Sequence, residues 1–316
     1  MTVSLQVFET VFAFIIVILL CLVLRKFSII KEEDGKVFSN LLTKAVLPAV
    51  IFLQLSATPI RTNQFLLVFA VFVAGVLSML LAWSLGRIMK LSRAKTGALM
   101  LTSSFGASAL FGYPFIAFSF QNNPEAMADA VLLSELGVGL PMFILGPAVA
   151  MHFGDKIEQS GIKRAPFWVY FRSPIFASIV LGMAFSFIPF DRSHSYIVPF
   201  FEALKMINGA LAILACLVLS LNLKMISLKG IIPLFIISAL IQMGFQPLIA
   251  HAQAITYNLS TLQTQVLVLI CSLPSAVLGP VFAKQHDCAP DTASALVMAH
   301  IVLSIVMVPA VFYLLG

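Results

Sequence analysis

Glu135 and His300 are the residues of this chain best suited to carrying a proton, because each stands well inside a long apolar run. An ionisable side chain at mid-membrane costs about 2.5–3.5 kcal/mol even on a translocon-based scale, so it needs a partner or a task. At 1.5 Å per residue, Glu135 lies about 12 Å into the run 127–153, and His300 lies at a similar depth in the run 291–315. Both are proton-coupling candidates, with the imidazole tuned nearer neutral pH. The plainer alternative is that each caps a kinked backbone or faces a polar crevice. For His300 alone that alternative is the stronger reading.

A second kind of chemistry needs exposed backbone. Ser108-Ala109-Leu110-Phe111-Gly112-Tyr113-Pro114 and Ser275-Ala276-Val277-Leu278-Gly279-Pro280 both read Ser-Ala-apolar-apolar-Gly with a proline within two residues, 167 positions apart. Proline removes a backbone donor and clashes with the carbonyl four residues earlier. In lipid the freed groups must find protein or cavity water. Two interrupted helices at equivalent places point to a central binding site, where half-helix N-termini offer N–H groups and a positive dipole end to an anion. The substrate-binding candidates are Ser104, Ser108, Gly112, Tyr113 and Pro114 in the first stretch, and Pro274 and Ser275 in the second. Gln54 and Asn208, in two further apolar runs, line the path or tie helices together.

The elements that hold these residues follow from composition. Of 316 residues, 60% are hydrophobic and 10% charged, against about 25% charged in a soluble domain. Apolar runs fall at 6–24, 37–56, 65–86, 96–119, 127–153, 173–189, 197–221, 230–251, 263–283 and 291–315. Nearly all reach the ~20 residues that cross a bilayer core. The expected fold is therefore all-α and integral to the membrane, with ten transmembrane helices. The first run has neither a basic leader nor a small-residue cleavage site and reads as a retained span.

Charge sets the orientation. Arg25, Lys26, Lys31, Lys36, Arg87, Lys90, Arg93, Lys95, Lys156, Lys163, Arg164, Arg172, Lys224, Lys229 and Lys284 fall in the odd-numbered loops. Only Arg61 and Arg192 fall in the even-numbered ones, and Lys44 and Lys205 lie within spans. The positive-inside rule places the odd loops in the cytoplasm and both termini outside. Five spans per half then require two inverted repeats, 1–153 and 173–316, joined by a cytoplasmic linker at 154–172. The aromatic run Ala165–Phe171 in that linker suits the headgroup level. Lys44 is expected to snorkel, and Lys205 to snorkel or pair with Glu202; the alternative for either is to attract an anionic substrate.

Other classes fit poorly. The net charge of +6 sits in short clusters without interleaved aromatics, so nucleic acid is not an expected partner. Cys21, Cys216, Cys271 and Cys288 have neither disulfide-framework nor zinc spacing. Nucleotide loops and catalytic-triad spacings are lacking, so neither an enzyme nor a cofactor is expected.

At these same residues the chain resembles the auxin efflux carrier family, which includes plant auxin carriers and bacterial dicarboxylate or malonate carriers. Leu47-Pro48-Ala49-Val50-Ile51-Phe52 is close to the family's LPAxxF segment. Leu110–Pro114 and Leu273–Ala276, with Ala283 beyond, resemble its two helix breaks. Ala293-Ser294-Ala295-Leu296-Val297, followed by Ser304 and Pro309, resembles its closing helix. The likeness runs the length of the chain. It implies broken, crossing helices at spans four and nine. It also implies a scaffold of spans one, two, six and seven, a mobile transport domain of spans three to five and eight to ten, elevator-type alternating access, and a homodimer through the scaffold. One position departs: seven residues before the span-four proline the family often has Asn, and here stands Ala107, with Ser103, Ser104 and Ser108 nearby.

The expected function is secondary transport of a small organic anion, a mono- or dicarboxylate such as malonate, malate or an auxin-like acid, in a bacterial inner membrane. The alternatives are a sodium- or proton-coupled symporter of the bile-acid type, and a non-transporting membrane sensor that keeps the fold. The topology is directly testable. A single cysteine at Lys90 should react with an impermeant maleimide only in inside-out vesicles, and a tag after Gly316 should be reached only from the outside.

Overall fold

The computed structural model describes residues 3–57, 62–155, 170–187, 196–222 and 230–316. Within them the chain is helical, and the only β pairing is an isolated antiparallel bridge between Gly106 and Ser275. In chain order the helices that matter here are α1 (Val3–Lys26), α2 (Gly35–Ala57), α3 (Thr62–Ile88), α4 (Arg93–Thr102), α5 (Ser108–Ser119) and α6 (Pro124–Phe153). They continue with α7 (Pro174–Ser186), α8 (Val198–Leu221), α9 (Ile232–Thr256), α10 (Thr261–Ser272), α11 (Leu278–His286) and α12 (Pro290–Leu315).

Among the described residues, seven of these helices (α1, α2, α3, α6, α8, α9 and α12) are long and apolar enough to cross a membrane. The fourth and ninth apolar runs are each split in two, as α4 with α5 and α10 with α11. The sixth is the short helix α7. Most of the aromatic run expected at the headgroup level, 165–169, lies outside the described residues, as does nearly all of the 154–172 linker.

Helix ends follow local chemistry. Ser92 starts α4 by accepting from the Lys95 N–H, and Ser260 forms a capping box with Gln263 at the start of α10. Left-handed residues close several helices, among them Lys90 after α3 and Asn258 after α9.

Prolines leave a regular mark. Four π turns, Leu42–Val46, Ser108–Gly112, Leu133–Gly139 and Ile241–Phe245, each precede an α-helical segment whose second residue is proline: Pro48, Pro114, Pro141 and Pro247. The carbonyl that each ring would strike, four residues back, belongs to Lys44, Leu110, Gly137 or Met243, all inside the π turn. Widening that turn moves the carbonyl aside and keeps the helix continuous. For Pro147 and Pro309 the carbonyl four residues back lies in regular α-helix, not in a π turn, and nothing in the structure explains the difference.

The chain divides into two compact units: Met1–Gln64 with Ala109–Val131 and Trp168–Lys224, and Phe65–Ser108 with Leu132–Phe167 and Met225–Gly316. In the first, α1 packs on α8 and α5. Phe14 meets Phe115 and Phe118, with ring centroids 5.5 and 6.2 Å away. Phe52 of α2 sits among Phe185, Phe200 and Phe201. Lys205 pairs with Glu202 at 2.8 Å on an exposed face. In the second unit, α10 packs against α9 and α12, and α4 against α6, α11 and α12.

The α2–α7 contact of the first unit depends on Gly182. A Cβ there would stand 2.9 Å from Leu55 Cβ and 3.4 Å from Phe52 Cα. Gly182→Leu should therefore destabilise the purified protein by about 1–3 kcal/mol through overpacking, read as a lower unfolding temperature. Gly209→Ala, with nothing within 4 Å of the added carbon, should leave that temperature unchanged.

Candidate functional site

The break between α4 and α5 spans Ser103–Ala107, and the break between α10 and α11 spans Leu273–Val277. An interrupted helix exposes backbone groups that lipid cannot solvate. Here each break answers the other's need. The Ala107 N–H donates to the Pro274 carbonyl at 2.7 Å, and the Ala276 N–H donates to the Phe105 carbonyl at 2.8 Å. Ala107, where the resembled family often carries Asn, thus serves through its backbone.

A glutamine pair in α9 ties both breaks. Gln242 Nε2 donates to Gln246 Oε1 at 2.7 Å and to the Leu273 carbonyl at 3.3 Å. Gln246 Nε2 donates to the Ser104 carbonyl at 3.3 Å. Gln242 lies in the π turn ahead of Pro247, and both side chains are buried. Gly75 of α3 admits this contact: a Cβ on it would stand 3.0 Å from the Ser104 carbonyl and 3.7 Å from Gln246 Nε2.

His300 fastens the second break from α12. Its Nδ1 lies 2.6 Å from Ser275 Oγ and its Nε2 lies 2.8 Å from Ser238 Oγ. The Ser275 hydroxyl donates its one proton to the Thr102 carbonyl, so it accepts from Nδ1–H. This assigns the tautomer from the network. In the neutral imidazole Nε2 then accepts from Ser238. On protonation it would donate instead, and the Ser238 hydroxyl would turn to the Phe235 carbonyl, 3.1 Å away. One rotor therefore reports the charge of the ring.

Of the residues singled out from the sequence, Ser104, Ser108, Glu135, Pro274, Ser275 and His300 all belong to the second unit, and all are buried. Ser104 donates to the Met100 carbonyl at 2.6 Å, and Ser108 accepts from Ser134 at 2.8 Å. Glu135 sits in the π turn ahead of Pro141. Gly112, Tyr113, Pro114, Gln54 and Asn208 lie in the first unit; the first three are buried and the last two half-buried. Pro114 does not break span four, because the π turn at Ser108–Gly112 absorbs it, and the opening falls upstream.

Sequence reasoning missed Ser134, Ser238, Gln242 and Gln246. The glutamines had a legible signal, an i, i+4 polar pair inside an apolar run just before a proline. It also missed Asp129, buried in α6, which accepts from Gln64 Nε2 at 2.6 Å in the first unit. Cys21, Cys216, Cys271 and Cys288 are free and buried. Among the described residues no cluster of His, Cys, Asp and Glu is arranged to hold a metal ion.

The sequence model of a family described as membrane transport protein matches residues 6–313. The chain is similar to an uncharacterized transporter of Methanocaldococcus jannaschii, with 27% identity over 285 residues, covering 86% of this chain and 89% of that one. It is also similar to an uncharacterized transporter of Methanothermobacter thermautotrophicus, with 24% identity over 307 residues, covering 95% and 96%.

The glutamine tie makes a stability prediction. Gln242→Leu leaves Gln246 Oε1 and the Leu273 carbonyl without their donor, so it should cost about 2–6 kcal/mol, at ~1–3 for each buried acceptor. Ser78→Ala, which removes a buried hydroxyl that pairs with no protein group, should not lower the unfolding temperature of the purified protein.

Proposed function

Because the chain belongs to the membrane transport protein family, the auxin efflux carriers, we propose that it is a secondary active transporter of a small organic anion, a mono- or dicarboxylate. The observation that carries this reading is the pair of half-helices that begin at the breaks. Helix α11 starts at Leu278 with no side-chain cap, and α5 starts at Ser108. Their positive dipole ends suit a carboxylate. Ser104, Ser108, Pro274 and Ser275 frame that region and are assigned to substrate.

The second unit, which holds both breaks, is the moving part in this reading, and the first unit is the scaffold and the dimerisation surface. The chain divides into one unit built largely from spans three, five, eight, nine and ten with the first half of span four, and another from spans one, two, six and seven with the second half of span four. Apart from that split span, the division supports an elevator-type cycle. His300 and Glu135 are the proton carriers; the buried imidazole with a serine on each nitrogen supports the first assignment. The protein works in the plasma membrane with both termini outside.

Counterflow in proteoliposomes tests the proposal, with labelled malonate, malate and an aromatic acetate, each with and without a pH gradient. Saturable counterflow of one acid is expected, falling at least about tenfold, equivalent to 1.4 kcal/mol, in Ser275→Ala and in Pro274→Ala. Loss of the pH-gradient response in His300→Gln or Glu135→Gln assigns the proton carrier. If folded, monodisperse protein moves none of these acids, the carboxylate assignment fails.

A further inference from the structure

We propose that the paired breaks also hold an alkali cation of sodium's class, bound by Ser103 Oγ, Gln242 Oε1 and backbone carbonyls at the C-terminal ends of α4 and α10. The argument starts from polar atoms without protein partners. Ser103 and Gln242 are fully buried, and neither Ser103 Oγ nor Gln242 Oε1 meets any hydrogen-bond donor of the protein. A bare buried acceptor costs about 1–3 kcal/mol.

Rotating the amide does not relieve Gln242. Its Nε2 already serves two acceptors, Gln246 Oε1 and the Leu273 carbonyl, and a flip would set oxygen against oxygen at both. The orientation of Oε1 is therefore fixed by its neighbours. The residues that bear the two bare oxygens adjoin one chain of hydrogen bonds. Ser103 precedes Ser104, whose carbonyl is held by Gln246, the partner of Gln242. Three residues beyond Ser103, a Cβ on Gly106 would stand 3.4 Å from Gln242 Nε2 and 3.5 Å from the Ile270 carbonyl in the last turn of α10.

Charge and donor type then select the ligand. Both α4 and α10 end at the breaks, each bringing roughly half a negative charge from its dipole. Together they match one positive charge, not two. The donors are neutral oxygens, a hydroxyl, an amide and carbonyls, which suit a hard cation. A divalent ion in lipid would want carboxylates, and Ser103 and Gln242 bring none.

The site completes the transport reading by supplying a cation beside an anion-binding pair of helix N-termini. Its role in coupling rests on that reading, and its existence does not. The test accordingly uses the purified full chain without any organic anion. Unfolding temperature is followed in sodium, potassium and choline chloride at equal ionic strength, together with equilibrium binding of radiolabelled sodium.

The expected result is a saturable rise in unfolding temperature with sodium but not with choline, and one bound sodium per chain. Ser103→Ala decides the matter, because its hydroxyl makes no bond within the protein. A merely structural serine predicts an unchanged or slightly higher unfolding temperature and an unchanged sodium response. The cation site predicts at least tenfold more sodium for the same rise. A rise that Ser103→Ala leaves intact overturns the proposal, and so does the absence of any difference between sodium and choline in folded wild-type protein. The oxygens would then be solvated by water alone. Sodium binding without movement of any carboxylate would overturn the anion reading and leave the cation site standing.

Discussion

Two backbone hydrogen bonds, Ala107 N–H to Pro274 and Ala276 N–H to Phe105, are the constraint on which the rest of the second unit depends. Water solvates an interrupted helix without difficulty, but hydrocarbon does not, and every stranded N–H or carbonyl there costs several kcal/mol. A single broken helix would need a dedicated set of side chains. Two broken helices set antiparallel supply each other's missing partners, with residues that carry no polar side chain. Three further carbonyls, those of Thr102, Ser104 and Leu273, are taken by Ser275, Gln246 and Gln242. The His300 ring, hydrogen-bonded to Ser275 and to Ser238, joins the second break to α9 and α12.

The prolines act through a different route from the one their spacing first suggests. In four places a proline is absorbed by a π turn, and the helix continues. What the π turn changes is register: it delivers an extra residue to the helix wall, so a side chain that an α-helix would turn aside is presented to the interior. Glu135, Gln242 and Ser108 all sit in such turns. These three polar residues of the second unit thus sit where a proline widens the helix without breaking it.

The sequence made the larger scale legible and the smaller scale only in part. Apolar runs of membrane length, separated by basic clusters, were readable because hydropathy is a sum over some twenty residues and tolerates local error. The location of the second break was readable too, since Pro274 falls within it. The first break was placed too late, at Leu110–Pro114, because a proline alone does not say whether a helix will open or widen. Ser103 was legible only as one of three serines near Ala107, with nothing to set it apart from Ser104 and Ser108. Ser238 and His300 are 62 residues apart and Ser104 and Gln246 are 142 apart, so their pairing belongs to tertiary structure and no local pattern contains it. Gln242 and Gln246 were within reach, because two amides one helical turn apart in an apolar helix cost too much to be incidental.

The chemistry of the breaks also explains why their backbones are held by neutral side chains. The side chains that hydrogen-bond to the break backbones are serine and glutamine. A fixed carboxylate there would repel an organic anion, and a fixed lysine would hold it through every cycle. Helix ends avoid both faults. Each offers about half a charge, positive at the starts of α5 and α11 and negative at the ends of α4 and α10, and the two signs lie within a few residues of each other. Such a region is neutral when empty and can be desolvated cheaply. In the reading proposed above it would take an anion on one side of the break and a cation on the other, and loaded with both it would be neutral again. Such a site would suit the elevator-type cycle proposed above, because the cost of moving it across a low-dielectric barrier would be similar whether full or empty.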